Sequence, residues 1–336
     1  MAITRSKRPT NSRQLLPQST FLFQIWAFRI GKFVLSAAFV LLFLNCGDSG
    51  MMGIKFEDQY HQAKKPKYDC VLFDLDDTLY PLASGLAAHC RKNIEDYMVE
   101  KLDIEESKVS EMAILLYKNY GTTMAGLRAI GYTFNYDDYH SFVHGRLPYD
   151  KLKPDPILRH LLLSIPVRKV IFTNADKVHA AKVLSRLGLE DCFDGIICFE
   201  TLNRTDENKF SDELAANIKT SILDNLLRPP PTFELPKTPI FCKPSESAMI
   251  HALKIAKVDP QRTIFFDDSV RNIQAGKKIG LDTVLVGTSL RVNGADHALE
   301  SLHNMREALP ELWEEGDEAR GARHDGKITI EMPVSA

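Results

Sequence analysis

Several acidic residues lie directly after apolar stretches of the sequence, where buried strands would end. Asp74 and Asp76 follow one such stretch, and Asp267 and Asp268 end another. Carboxylates that converge on one point repel one another unless a cation lies between them, and a ligand set made only of oxygen favours a hard divalent ion. These residue types therefore predict a Mg²⁺ site.

A lysine and a hydroxyl group near such an ion would form a site for a phosphoryl group, because the cations neutralise its charge. Lys243 and the pair Thr173 and Asn174 could supply these groups. Asp74 could attack phosphorus as the nucleophile, since an ionised carboxylate needs no activating base. Asp76 could protonate the leaving oxygen and later deprotonate the hydrolytic water. The pattern predicts hydrolysis of a phosphate monoester through an aspartyl phosphate.

The elements that must position these residues are predicted to be the strands of a parallel sheet. From residue 68 onward, short β-rich runs alternate with longer amphipathic runs, which is typical of an α/β domain. Ligand groups in such sheets lie beyond the carboxyl ends of the strands, where the acidic residues fall. The predicted fold class is therefore α/β, with a Rossmann-like parallel-sheet core. The predicted strands are Tyr68–Asp74, Lys169–Thr173, Gly195–Phe199, Thr263–Asp267 and Thr283–Val286.

A long stretch without a convincing strand separates the first two predicted strands. It exceeds what a right-handed crossover needs, and its apolar residues recur at helical spacing. We predict that residues 83–154 form a small helical cap inserted after the first strand, and that residues 68–82 and 155–313 form the core. The predicted helices of this stretch are Ala87–Lys101, Ser107–Tyr120 and Asp137–His144, followed by Pro154–Leu163.

Residues 1–67 are predicted to be an N-terminal extension, with a basic start and an apolar segment at residues 21–44. The charge-free part, Phe33–Leu44, is shorter than the roughly 20 residues that span a bilayer, but it suits the apolar region of a signal peptide. Three alternatives stay open: a signal or membrane anchor, an organelle-targeting presequence, or upstream sequence absent from the mature protein. Membrane contact is expected only through residues 21–44.

Two further regions interrupt the alternating pattern. Residues 202–244 contain three consecutive prolines and are predicted to form a surface excursion with one helix, Ser211–Leu227. The tail, residues 314–336, is charged, rich in glycine and weakly apolar, and is predicted to be disordered.

The composition limits the class of partner. Lys and Arg total 42 against 44 Asp and Glu, for a net charge of −2, so the chain lacks the broad basic footprint that binds nucleic acid. We expect no nucleic-acid partner and a small-molecule phosphate ester as substrate. The cysteines form no C-x-x-C pair and several lie in apolar runs, which favours reduced thiols and a cytoplasmic location. A membrane-anchored or targeted protein stays the alternative.

The motifs resemble those of the haloacid dehalogenase superfamily of phosphohydrolases. FDLDDTLY is similar to the first motif of that family, D-x-D-x-T, VIFTNA to the second, FCKPSES to the third and FFDDSVRN to the fourth, in the family order. The resemblance extends from about residue 68 to residue 289. It implies that Asp74 is the nucleophile, Asp76 the acid/base, Thr173 the phosphate-binding hydroxyl and Lys243 the lysine of the third motif.

The same resemblance implies further site residues. Thr78 would support the turn after the first strand, and Asp77, Thr78 and Asn174 would bind substrate or phosphate. Asp268 is expected to contact the metal directly, with Asp267 as an indirect or additional contributor. The implied metal ligands are Asp74, the backbone carbonyl of Asp76, Asp267 and Asp268.

A narrower resemblance concerns the substrate. The segments DLDDTLYP, YGTTMAGL, HGRLPYD, LKPDP and IFTNADKVHA are similar to plant and fungal pyrimidine 5′-nucleotidase-like proteins. This implies hydrolysis of a nucleoside monophosphate such as UMP or CMP. Arg146, within HGRLPYD, is a candidate for contacting a base or phosphate. Asn272 falls where the family often has Asp or Asn.

Other functions stay open. A sugar-phosphate or phosphoglycolate phosphatase would share this chemistry and differ in its cap. A dehalogenase would attack carbon with the same nucleophile, but it needs neither a metal nor an acid at the position of Asp76. A binding or regulatory protein that kept the fold and lost catalysis is an alternative from another class. The sequence makes no prediction of the oligomeric state.

Overall fold

The computed structural model describes residues 66–203 and 234–313, together with residues 222, 225 and 228. In these residues six strands form one sheet, in the order β3-β2-β1-β4-β5-β6, and all neighbouring strands are parallel. The α/β parallel-sheet prediction is confirmed. The strands are β1 (Cys70–Phe73), β2 (Arg168–Phe172), β3 (Gly195–Ile197), β4 (Thr263–Asp267), β5 (Asp282–Val286) and β6 (His297–Leu299).

Helices cover both faces of this sheet and lie in the connections between its successive strands, except for the connection from β5 to β6. Five of them, α1 to α5, lie between β1 and β2, and the first four fall in the stretch predicted to be a helical cap. The division into core and cap at residues 83 and 154 stays a prediction. The α-helices of the described residues are α1 (Leu86–Glu100), α2 (Glu106–Tyr120), α3 (Thr123–Ala129), α4 (Tyr136–Val143), α5 (Pro156–Ser164), α6 (Lys177–Leu187), α7 (Phe199–Leu202), α8 (Glu246–Ala256), α9 (Val270–Lys278) and α10 (Met305–Ala308).

The central strands are buried on both faces. Val71 and Phe73 of β1 pack with α5 and α6, whereas Cys70 and Leu72 pack on the opposite face with α8 and α9. Because successive strand residues point to opposite faces, this alternation requires a continuous apolar run, which β1 provides. Burying a large apolar side chain stabilises the fold by roughly 1.5–3 kcal/mol, so this double burial fixes the register of the sheet.

The differences from the predicted elements have local causes. The predicted strand beginning at Gly195 ends at Ile197, because Cys198 caps the short helix α7. Helix α3 was not predicted; the Thr122 side chain accepts a hydrogen bond from the Ala125 N–H and starts it. Strand β6 was also not predicted, since its three residues are too few for a pattern.

Some predictions lie outside the described residues. These are the N-terminal extension up to residue 65, the tail 314–336 and, apart from Ile222 and Asn225, the predicted helix Ser211–Leu227. Where the structure describes the chain, it contains no helix long and apolar enough to cross a membrane. The five described cysteines are free thiols. The cytoplasmic location stays a prediction.

Candidate active site

Parallel pairing brings two acidic strand ends together. β1 pairs with β4, and Phe73 lies opposite Phe266. The Asp74 N–H donates to the Phe266 carbonyl oxygen over 2.8 Å, which continues the ladder past the end of β1. Asp74 and Asp267 therefore reach the carboxyl edge of the sheet at adjacent positions, as predicted for ligand groups of a parallel sheet.

A buried ammonium group lies between these two carboxylates. Lys243 is 1% exposed, and its Nζ is 2.6 Å from Asp74 Oδ1 and 2.7 Å from Asp267 Oδ2. Its third hydrogen bond, also 2.7 Å, goes to the Phe172 carbonyl oxygen at the end of β2. Burial alone would lower the pKa of Lys243, but the attraction of Asp267 and Asp74 raises it above its ordinary value. The lysine is therefore charged and uses all three of its donors.

The backbone of Lys243 is held from two directions. The Lys243 N–H donates to Asn174 Oδ1 over 2.8 Å, and Asn174 Nδ2 donates to the Lys243 carbonyl oxygen over 3.0 Å. Gly121, which follows α2, lies against the same carbonyl, and a Cβ at Gly121 would be 2.3 Å from it. The Asn174 side chain thus positions Lys243, and its predicted contact with phosphate stays a prediction.

Hydrogen bonds from neighbouring side chains orient the carboxylates. Thr78 Oγ1 donates to Asp74 Oδ2 and accepts from the Asp268 N–H, each over 3.1 Å. Asn272 Nδ2 donates to both oxygens of Asp267, over 2.9 and 3.0 Å. We call Asp74, Lys243, Asp267 and Asp268 the lysine side of the site.

Negative charge is in excess on the lysine side. Burial raises the pKa of Asp74 well above its ordinary value, although Lys243 opposes the rise. Loss of hydration in the cleft, followed by repulsion from Asp267, raises the pKa of Asp268 to about 7. A divalent cation beside these groups would favour their ionised forms, including the ionised Asp74 that a nucleophile requires.

Three carboxylates of the lysine side fit the predicted Mg²⁺. Asp74, Asp267 and Asp268 each offer one oxygen, and these oxygens lie within 4.8 Å of one another. A donor set made only of oxygen suits Mg²⁺ better than a softer ion. The ion would also offset the mutual repulsion of the three groups.

Asp76 faces a different set of partners. Its Oδ1 accepts hydrogen bonds from Tyr80 Oη over 2.5 Å and from His179 Nε2 over 2.7 Å. His179 Nδ1 lies 2.8 Å from Tyr149 Oη. Burial opposes ionisation of Asp76, but His179 outweighs it and lowers the pKa of Asp76 to about 2. We call Asp76, His179, Tyr80 and Tyr149 the histidine side of the site.

The other predicted residues occupy different places. Asp77 has a left-handed backbone, with φ of 58°, and burial followed by repulsion from Asp76 raises its pKa to about 6. Thr173 is buried at the end of β2, and its Oγ1 accepts from the Ala175 N–H. Arg146 is exposed and stacks on the Phe142 ring at 4.4 Å. The substrate contacts predicted for these residues stay predictions.

A cavity of about 360 Å³ opens beside the histidine side. Its floor includes Asp76, Asp77 and His179, and its walls come mainly from apolar side chains of α1 and α2. This volume is within the range of small-molecule sites, and apolar walls with few polar groups are typical of them. The polar wall residues that could orient a ligand are Arg91, Tyr117, Thr123 and His144.

Sequence reasoning did not identify the partners of Asp76. His179 was not among the predicted site residues, although it lies in the first turn of α6, at the carboxyl end of β2. Residues in that position of a parallel sheet face the ligand edge, which was an available signal. Tyr80, four residues after Asp76, offered no comparable signal.

Known proteins resemble this chain in sequence and in fold. A family model described as haloacid dehalogenase-like hydrolase matches residues 68–280. Phosphate metabolism protein 8 of Saccharomyces cerevisiae is 29% identical over 139 residues, which are 39% of this chain and 43% of that protein. The match thus spans less than half of that relative's length.

Two solved structures are similar in fold. CbbY from Rhodobacter sphaeroides, in complex with phosphate, has a TM-score of 0.45 and 16% identity, and the match covers 73% of this chain and 99% of that one. The HAD-hydrolase YfnB from Bacillus subtilis, bound to magnesium, has a TM-score of 0.42 and 17% identity, with coverage of 71% and 97%.

Proposed function

The chain belongs to the haloacid dehalogenase-like hydrolase family, and on that premise we propose that it is a Mg²⁺-dependent phosphomonoesterase with Asp74 as its nucleophile. The observation that carries this proposal is the buried Lys243 ammonium, 2.6 Å from Asp74 and 2.7 Å from Asp267. A fixed positive charge beside a carboxylate nucleophile attracts a phosphate ester and stabilises the charge that moves between its oxygens.

The reaction would proceed in two displacements. In the first, Asp74 attacks phosphorus and the bond to the leaving oxygen breaks. Asp76 passes to that oxygen a proton that it takes from His179, whose own pKa the Asp76 carboxylate raises against the effect of burial. In the second, Asp76 accepts a proton from water, the water oxygen attacks phosphorus, and the bond to Asp74 breaks. The products are an alcohol and inorganic phosphate, and the enzyme returns to its initial state.

The remaining residues would bind the phosphoryl group. Lys243, whose three donors are already used, would offset the charge of the phosphoryl oxygens. The Thr173 hydroxyl would contact these oxygens, and Asp77, Thr78 and Asn174 would contribute from the loops after β1 and β2. When bound, Mg²⁺ would supply further positive charge at these oxygens. It would be held by Asp74, the backbone carbonyl of Asp76, Asp267 and Asp268.

We propose a nucleoside monophosphate, such as UMP or CMP, as the substrate. The cavity beside Asp76 supports this choice, because its apolar walls could cover the face of a base while the phosphate reaches Asp74. Arg91 and Tyr117 are the wall residues that could hydrogen-bond the polar edge of a base. A sugar phosphate lacks an apolar face of this kind.

Phosphate release from a panel of phosphomonoesters, each with Mg²⁺ or with EDTA, tests this proposal. The panel includes UMP, CMP, purine nucleotides, sugar phosphates and phosphoglycolate. We expect metal-dependent release with the highest kcat/KM for UMP and CMP. Preference for a sugar phosphate would keep the mechanism and reject the substrate, and activity on no ester would reject both.

A further inference from the structure

A second group of metal-ligand side chains lies outside the acidic site. His140 is in the last turn of α4, His144 follows that helix, and Asp176 is the N-cap residue of α6. His140 and His144 are four residues apart, so their rings lie on one side of the helix. One ligand atom from each of the three residues lies within 4.8 Å of the others.

His140 is buried without using its ring nitrogens. It is 7% exposed, and neither nitrogen forms a hydrogen bond with any residue that the structure describes. Its Nδ1 points towards Asp176 and is 3.6 Å from Asp176 Oδ1. Burying an unpaired polar group destabilises the folded chain, and an ion bound to this nitrogen would remove that penalty.

The ring of His140 is held in this orientation by packing. It contacts the Phe199 ring of α7, with centroids 4.7 Å apart, and stacks on His144 at 5.4 Å. These contacts come from both the helical insertion and the sheet side of the molecule. The unpaired nitrogen is therefore aimed at Asp176 by its surroundings.

Asp176 is oriented in the same way. Its Oδ2 accepts from the N–H groups of Val178 and His179, over 3.0 and 3.1 Å, which caps α6. Its Oδ1 is left to face the two histidines, and it pairs with His144 Nδ1. Two imidazole nitrogens and one carboxylate oxygen form a donor set that suits Zn²⁺ and similar borderline ions, not Mg²⁺.

We propose that His140, His144 and Asp176 form a binding site for a divalent transition-metal ion of the Zn²⁺ class, separate from the acidic site. Binding requires the proton between His144 Nδ1 and Asp176 to move to His144 Nε2 or to solvent, so that the ion takes its place. The ion would join α4 of the helical insertion to the loop after β2.

Such an ion would affect the cavity of the proposed active site. His144 lines that cavity, and its ring lies 4.4 Å from the ring of His179, the partner of Asp76. A link between α4 and α6 would restrain opening of the cavity and slow turnover. This effect on turnover rests on the proposed function, whereas the binding itself does not.

A Co²⁺ titration of the full chain tests the site, because tetrahedral Co²⁺ absorbs visible light when bound by nitrogen and oxygen. The protein is stripped with EDTA, dialysed and supplied with excess Mg²⁺ to fill the acidic site. We expect one Co²⁺ per chain, displaced by Zn²⁺. His144→Gln and Asp176→Asn, in which the amide oxygen can still cap α6, should bind at least about tenfold more weakly.

His160→Gln is the matched control, because His160 is an exposed histidine of α5, away from the three proposed ligands. It should bind Co²⁺ as the wild type does. Zn²⁺ should raise the melting temperature of the wild type and of this control, and not that of the ligand variants. Absence of a Co²⁺ site in the wild type, or equal affinity in all four proteins, would overturn the proposal whether or not the chain hydrolyses phosphate esters.

Discussion

Asp74 and Asp76 are two residues apart, yet the pKa of Asp74 on the lysine side is raised and the pKa of Asp76 on the histidine side is lowered. Asp74 is buried against Lys243, and burial raises its pKa. Asp76 is partly exposed, and His179 lowers its pKa to about 2 against the effect of burial. One side is therefore a cluster of three buried charges, Asp74, Lys243 and Asp267, with the exposed Asp268 beside them. The other side is a set of rings that also borders the cavity.

The difference indicates that the two sides of the site have different roles. The lysine side is formed by strand ends and by the Lys243 backbone, which the fold holds in place whatever the leaving group is. The histidine side combines Tyr80, Tyr149 and His179 with the cavity wall, where a leaving group would lie. We expect changes on the lysine side to affect stability and all substrates, and changes on the histidine side to affect kcat more strongly than KM.

Lys243→Met should have the largest effect. It leaves Asp74 and Asp267 buried without their shared cation, which is expected to cost about 3 kcal/mol of unfolding free energy and to abolish phosphate release. Urea unfolding measures the first effect. Lys254→Met, at an exposed position of α8, is the control and should be nearly neutral. Equal urea midpoints for both variants would contradict the structural role of Lys243.

Gly121→Ala should destabilise the lysine side by displacing the backbone of Lys243. Gly121 has φ of 91°, and an added Cβ would lie 2.3 Å from the Lys243 carbonyl oxygen, so the backbone must shift. We expect a loss of about 2 kcal/mol in urea unfolding. Gly195→Ala is the control, since a Cβ there meets no atom within 4 Å. If both substitutions cost the same, the close contact is not what requires glycine.

His179→Ala should lower turnover through its effect on the histidine side. Loss of the 2.7 Å hydrogen bond to Asp76 is expected to lower kcat about tenfold, with a smaller change in KM. His179→Gln retains a donor near the position of Nε2 and should recover most of the rate. The pair is compared by steady-state kinetics. A Gln variant as slow as the Ala variant would show that packing, not the hydrogen bond, accounts for the loss.

Asp268→Asn should have the smallest effect on stability, and in the opposite direction. Without metal it removes repulsion from Asp267 and Asp77, and because Asp268 is exposed, solvent screens that repulsion. The unfolding free energy in EDTA should therefore rise by less than about 1 kcal/mol. Added Mg²⁺ should raise the melting temperature of the wild type and not of the variant. A drop in stability in EDTA would mean that the cluster is not strained by its own charge.

The lysine side was largely predictable from sequence, and the reason is local. Asp74 and Asp267 lie where apolar strands end, and parallel pairing brings such ends together without further information. Lys243 was identified by the motif that it occupies, although 169 residues separate it from Asp74. Its support by Asn174 and Gly121 was not predicted, because those contacts depend on the packing of the helical insertion.

The histidine side was less predictable, because its contacts also depend on how separate elements pack together. Asp76 and His179 are 103 residues apart, and neither residue's neighbours in sequence indicate the pairing. Arg146 shows the converse. Its motif predicted a substrate contact, whereas the folded chain leaves it exposed, with its guanidinium group 4.4 Å from the centre of the Phe142 ring. Side chains that face between elements are fixed by packing, which periodicity does not reveal.

The most direct test of the central claim is phosphate release by Asp74→Asn with every ester that the wild type hydrolyses. Asp103→Asn is the matched control, because Asp103 is exposed and its left-handed backbone suits asparagine. With Asp74 as the nucleophile, the first variant should lose at least about 10⁴-fold in kcat while the control stays at the wild-type rate. Turnover of any ester at the wild-type rate by Asp74→Asn would contradict the account.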